Sequence, residues 1–106
     1  MKINLFSCFF PVLKFKITGN SMQPAFNNND LVLVNKLSYL FKNPELNDVV
    51  AIKNPALDKE KRYIIKRVVK IKKNKYFVEG DNKKESTDSR SFGWIGRENI
   101  IGKIII

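Results

Sequence analysis

Ser21 sits in the segment GNSMQPAF, Gly19 to Phe26, where it could act as a nucleophile, and the chain holds no histidine to activate it. A Ser-His-Asp triad and a Cys-His dyad are both excluded, so a different base must take the hydroxyl proton. Lys66, in the run YIIKRVV, is the best candidate. A lysine titrates near about 10.4 in water, so acting as a base near neutrality requires a drop of roughly three units. Burial supplies such a drop and exposure does not. In a strand, Ile64, Lys66 and Val68 share one face, which places the amine between two β-branched neighbours. The alternative is an edge lysine that snorkels to water.

The surroundings of Ser21 suit a projecting hydroxyl. Gly19 permits a tight turn, Asn20 tolerates unusual backbone angles, and Pro24 fixes the chain that follows. Backbone N–H groups on such a turn are available to an oxyanion. The bland reading is a turn serine with a local hydrogen bond. A third segment, GDNKKESTDSRSFGW from Gly80 to Trp94, is dense in turn formers, hydroxyls and charge. Asp81, Asp88 and Arg90 are placed to pair with one another or with Arg67, and Ser86, Thr87 and Ser89 are short donors. By composition alone this segment also reads as a solvated loop.

The elements that must carry these residues are mostly β. Short strands are expected at Lys14 to Thr18, Leu31 to Val34, Val49 to Ile52, Tyr63 to Ile71, Lys75 to Glu79 and Ile100 to Ile106, with Gly102 as a bulge. Asn27 to Asp30 and Asn47-Asp48 are turns, and Lys72-Lys73-Asn74 is a hairpin turn. Lys36 to Lys42 is amphipathic, with room for one helical turn before Pro44. Asn54 to Lys61 reads as a polar loop and Gly80 to Gly96 as loop-rich. Six or so such strands in 106 residues predict one all-β domain, a compact coiled β-barrel or sandwich of short strands.

Residues 1–13 form a hydrophobic arm ahead of a core at 14–106. Ile3 to Leu13 is uncharged, but its 11 residues fall short of the roughly 20 needed to span a bilayer. Phe6, Phe9 and Phe10 beside Lys2, Lys14 and Lys16 fit peripheral contact with an anionic membrane. The expected location is cytoplasmic, peripheral at a membrane if this arm binds it. The single cysteine, Cys8, excludes an intrachain disulfide, and without histidine a zinc site has no ligand set. No cofactor or metal is expected. The net charge of +10 comes from scattered lysines rather than one block, so a soluble surface accounts for it better than nucleic-acid binding.

Taken together, the three segments resemble the signal peptidase I family of serine proteases over about Ile17 to Ile106. Gly19, Ser21, Met22 and Pro24 match the family's nucleophile box. Lys66, Arg67 and Val68 match its lysine box. Gly80, Asp81, Asn82, Ser86, Asp88, Ser89, Arg90 and Gly93 match its third box. The resemblance implies that Ser21 is the nucleophile, Lys66 the base and Ser86 the residue that aims the lysine. It implies that Arg67, Asp81, Asp88 and Arg90 brace the site. The Ser21 N–H would serve an oxyanion hole on the Gly19-Asn20 turn. Some members place a hydroxyl two positions before the nucleophile, where this chain has Gly19. An extended precursor polypeptide would bind near Met22 and pair with Tyr63, Ile64 and Ile65.

Two departures refine the resemblance. Family members typically carry membrane-spanning helices before the core, and often a second β-domain between the lysine box and the third box. Here only Val69 to Glu79 intervenes. This brevity and the run STDSRSFGWI are most similar to small proteases that mature nickel-type superoxide dismutase, which implies that precursor as substrate. The alternatives are a general leader peptidase for secreted precursors, a self-cleaving regulator related to the SOS-response repressors, and a non-enzymatic basic β-barrel that binds nucleic acid.

Overall fold

A computed structural model describes residues 12–55 and 63–105. Seven strands form one antiparallel sheet that curls on itself. They are β1 (Val12–Lys16), β2 (Leu31–Asn35), β3 (Val49–Lys53), β4 (Tyr63–Lys72), β5 (Lys75–Glu79), β6 (Ile95–Gly96) and β7 (Ile100–Ile104). Their order across the sheet is β1-β2-β7-β3-β4-β5-β6. The expected all-β fold is therefore present, and all six anticipated strands lie within two residues of their expected bounds at both ends, for the residues described. The first strand begins two residues earlier, so Val12 and Leu13 belong to β1 rather than to the arm. The rest of the arm, residues 1–11, positions 56–61 of the polar loop with the adjoining position 62, and position 106 at the end of the last expected strand lie outside the described residues.

Period-two alternation assigns each strand's side chains to two cores. Val50 and Ile52 of β3, Val68 of β4, Tyr76 and Val78 of β5, Ile95 and Ile100 form one cluster with Tyr39. Val32 and Val34 of β2, Ala51 of β3, Ile17 and Ile104 form the other. Fully burying each such side chain contributes about 1.5–3 kcal/mol. Adjacent residues of β3 thus face opposite cores, which is what a curled sheet with two apolar interiors requires.

The turns follow from local chemistry. Lys73 and Asn74 join β4 to β5 with φ of 45° and 66°, the left-handed pair that matches strand twist in a two-residue hairpin. The β3–β7 register shifts so that Gly102 faces Ala51 and Ile100 faces Ile52, leaving Ile101 as the extra residue. The bulge is thus one residue before Gly102. Gly102 itself lies against the Asn35 backbone, where a side chain would not fit.

Two stretches differ from the sequence reading. Residues 36–42 form turns rather than a helical turn, because Tyr39 inserts into the first core and sets the path of the chain. Its hydroxyl donates to Asp48 Oδ2 at 2.7 Å, and its carbonyl accepts from Arg97 at 3.0 Å. The stretch Gly80 to Gly96 is more ordered than a plain loop. It holds a 3-10 turn (Lys83–Glu85), a short helix α1 (Ser89–Phe92) and β6. Asp88 caps α1 by accepting the Arg90 N–H.

Candidate active site

The strand β4 delivers Lys66 to the first core face. Val50 is its partner across the β3–β4 pair, and Ile64 and Val68 flank it. Its side chain is buried, with 3% of the residue exposed. The amine does not snorkel to water: Nζ donates to Ser86 Oγ at 3.0 Å.

Ser86 passes this contact on. Its hydroxyl donates to Asp88 Oδ2 at 2.7 Å, so the Ser86 oxygen is committed to accepting from the lysine. Asp88 has no exposed side-chain surface and collects five donors. These are the Gly80 N–H at 2.9 Å, the Ser86 hydroxyl, and the N–H, Nε and Nη2 of Arg90 at 3.1, 2.9 and 3.1 Å. Burial pushes its pKa up, but the Arg90, Gly80 and Ser86 hydrogen bonds outweigh burial and hold it at about 2. A fixed carboxylate therefore stands two hydrogen bonds from the Lys66 amine.

Ser21 follows β1 on a tight turn. Gly19 has φ 93°, a conformation that favours glycine, and its N–H donates to Asn28 Oδ1 at 2.8 Å. The third segment clamps this turn from the other side. Asn82 N–H donates to the Ser21 carbonyl at 2.8 Å, and Asn82 Nδ2 donates to the Asn20 carbonyl at 3.0 Å. The Asp81 N–H donates to Met22 Sδ at 3.4 Å. At Gly80 the backbones come so close that a Cβ would stand 2.6 Å from the Ser21 carbonyl oxygen. Only glycine fits, and the fit ties the serine turn to the base of the Asp88 loop.

Arg67 points away from Lys66, as its neighbour on a strand must, and pairs with Asp81 through two parallel bonds of 2.9 Å. Its Nη1 also donates to the Asn47 carbonyl at 3.0 Å. The Arg67 bonds hold the Asp81 pKa below the usual carboxylate range. This fork joins β4 to the segment that bonds Met22 and Ser21.

A cleft of about 340 Å³ opens over these groups. Phe15 to Thr18 line it on one side and Tyr63, Ile64 and Ile65 on the other, with Ser21 and Lys66 on the same surface. The Phe15 and Tyr63 rings meet with centroids 5.7 Å apart. Gly19, Asn20 and Met22 also border the cleft. Ser86 meets it only through Lys66, while Arg67, Asp81, Asp88 and Arg90 stand behind it. Met22 meets the cleft with a buried side chain (1% exposed) whose sulfur accepts from the Asp81 N–H. Four further residues matter that sequence reasoning did not assign to the site. Asn82 bonds both Asn20 and Ser21, Asn28 caps Gly19, and Glu85 and Thr87 line the cleft. Asn82 stood within the third motif. Asn28 lay in a run of three asparagines that signalled only a turn.

The family model described as signal peptidase, peptidase S26 matches residues 1–71 and 69–106. The chain belongs to this family. It is a serine-type peptidase of the signal peptidase I-like kind. Its relatives include signal peptidase I V of Bacillus subtilis (strain 168), 29% identical over 87% of this chain and 83% of that protein. Mitochondrial inner membrane protease subunit 1 of Xenopus tropicalis is 31% identical over 84% of this chain. Thylakoidal processing peptidase 1 of Arabidopsis thaliana is 26% identical, also over 84%. This S26 chain spans 64% of the frog protein and 39% of the plant one. The two parts of the family match meet at residues 69–71, within β4 next to the hairpin.

Proposed function

We propose that this S26 peptidase removes N-terminal extensions from precursor proteins with a Ser21-Lys66 dyad. The observation that carries the reading is the buried amine of Lys66, held by Ser86 and sharing one cleft with Ser21. Burial disfavours an ammonium, so the site suits a lysine that works as a neutral base. Lys66 takes the Ser21 hydroxyl proton as Oγ attacks the scissile carbonyl. The Ser21 N–H donates to the resulting oxyanion. Lys66 then gives its proton to the leaving amine, and a water activated by the same amine releases the acyl group. Ser86 and Asp88 fix where Nζ points throughout. The substrate lies extended between Phe15 to Thr18 and Tyr63 to Ile65, adding its backbone to the sheet.

The relatives are named as signal and processing peptidases, which favours leader-bearing precursors as substrates. The short β4–β5 connection and the run STDSRSFGWI favour the precursor of a nickel-type superoxide dismutase. Co-expression with one precursor of each kind, followed by mass spectrometry of its N-terminus, tests the proposal. Wild type should trim at least one precursor at a single position, and Ser21→Ala, Lys66→Ala and Lys66→Arg should trim neither. Arginine stays protonated at working pH, so an active Lys66→Arg variant would remove Lys66 from the base role. Which precursor is trimmed decides between the two substrate classes.

A further inference from the structure

Strict alternation along β4 would turn Lys70 and Lys72 toward the face of Lys66. They point the other way because the β4–β5 register slips at Val69. Val68 lies opposite Val78, but Lys70 lies opposite Phe77 and Lys72 opposite Lys75. Tyr76 and Val78 fill the first core, so Lys75 and Phe77 take the outer face, and the slip brings Lys70 and Lys72 beside them. Lys70, Lys72 and Lys75 are exposed, and Lys73 continues the group at the hairpin tip. Lys72 and Lys75 are like charges directly across the hairpin, an arrangement that destabilises a strand pair. A ligand that brings negative charge removes this repulsion.

The acids nearby leave the group cationic. The Glu98 carboxylate folds over Gly96, which lies opposite Lys75. The next row is already paired, Arg67 with Asp81 and Glu79 with Lys83, each at 2.9 Å. Among the described residues, four ammonium groups thus stand against the single carboxylate of Glu98. The aromatic residues support them. Lys70 Nζ lies 5.1 Å from the Phe77 ring centroid, and Trp94 meets the same ring nearly edge-on, at 5.2 Å and 67°. A nucleobase needs an open ring to stack on, and the Phe77 ring is taken by Lys70 and Trp94. Carboxylates on alternate residues of an extended polypeptide repeat about every 6.6–7 Å, the spacing of Lys70 and Lys72 along β4. We propose that the outer face of the β4–β5 hairpin docks an acidic polypeptide segment. Resting on the processing role above, that segment belongs to the precursor. Lys72 lies about 20 Å along β4 from Lys66, so the segment sits at least about six residues from the cut.

The full chain carrying Ser21→Ala is titrated with a tryptophan-free peptide of alternating glutamate and serine. Trp94 is the single tryptophan and is 42% exposed, so its emission reports this face directly. The emission should change saturably, with an affinity that falls as salt rises. Lys72→Gln combined with Lys75→Gln should weaken binding about fivefold. The fold should survive, with Tm unchanged or higher once the like charges are gone. This arm needs no cleavage, so its result is separate from that of the processing role. In the active enzyme, a precursor bearing the acidic segment should show a lower KM at equal kcat than the same precursor with serines there. The double lysine variant should erase that difference. Three results would overturn the proposal. One is a silent Trp94. Another is equal weakening by Lys14→Gln combined with Lys42→Gln, which removes the same charge elsewhere. The third is tighter binding of a single-stranded oligonucleotide or of phosphatidylglycerol vesicles than of the peptide.

Discussion

Replacing Asp88 by asparagine tests the idea that one buried carboxylate organises the base. The carboxylate receives two donors on Oδ1 and three on Oδ2. An amide has one oxygen, so in either orientation its NH2 must face at least two of those donors. The substitution also leaves the Arg90 guanidinium without its anion. Together these should cost about 3–5 kcal/mol, a large share of the roughly 5–15 kcal/mol of a typical domain. The pH dependence supplies the sharper measurement. The folded pKa of Asp88 lies below its ordinary value, at about 2 against 3.8. Its contribution is therefore complete above the unfolded value and is lost as pH falls toward about 2. The difference corresponds to about 2.4 kcal/mol at neutrality, of which about half is gone by pH 3. Urea unfolding of wild type and Asp88→Asn at pH 7 and pH 3 isolates this part, since Asp48 and Asp81 titrate in both proteins. Wild type should lose about 1 kcal/mol more than the variant between the two pH values. An equal loss in the two proteins would refute the placement of Asp88 at the centre of the network.

Gly80→Ala pushes a methyl group against the Ser21 carbonyl, so processing should fall about a hundredfold in kcat/KM while the fold persists. Circular dichroism beside a cleavage assay separates the two effects. Tyr39→Phe removes a 2.7 Å bond to buried Asp48 and should cost about 1–2 kcal/mol, read as a lower Tm with unchanged kcat/KM. Among the described residues, Glu85 is the one carboxylate lining the cleft, and its Oε1 lies 3.4 Å from Asn20 Nδ2. Glu85→Lys should lower kcat/KM about threefold for peptides with a cationic residue just after the scissile bond. Peptides with glutamate there should be cleaved faster by the same variant.

What the sequence disclosed, and what it withheld, follows the range of the forces involved. Period-two patterns and turn chemistry are local, so β2, β3, β4, β5 and β7 could be read from the chain with small errors at their ends. The face that Lys66 shares with Ile64 and Val68 was legible for the same reason, but its burial, as against an amine that snorkels to water, is decided by the closed sheet. Tyr39 was not legible as a core residue, because its partners Asp48 and Arg97 are remote and only the closed sheet brings them together. The order inside Gly80 to Gly96 was hidden too. Nothing in the composition of that segment says that five donors converge on Asp88, and α1 exists because Asp88 caps it. The clamp of Asn82 on Asn20 and Ser21 spans more than sixty residues and needs the curl of the sheet.

The hairpin tip at Lys73–Asn74 has a consequence for how such peptidases vary in length. Among the described residues, the bonds of Asn82, Ser86 and Asp88 that hold the dyad involve neither residue of the hairpin tip. The strands on either side of the tip pair with each other and hand the chain back at the register where it left, Arg67 opposite Glu79. That geometry makes the tip a splice port. A whole domain, or two residues, can be joined there while the lysine and its serine partner keep their distance. The alignment with signal peptidase I V of Bacillus subtilis runs to 143 positions against 106 residues in this chain, so the relatives do differ in length. For protein engineering, the same tip is the place to graft a binding module that brings chosen precursors to an unaltered cutting site.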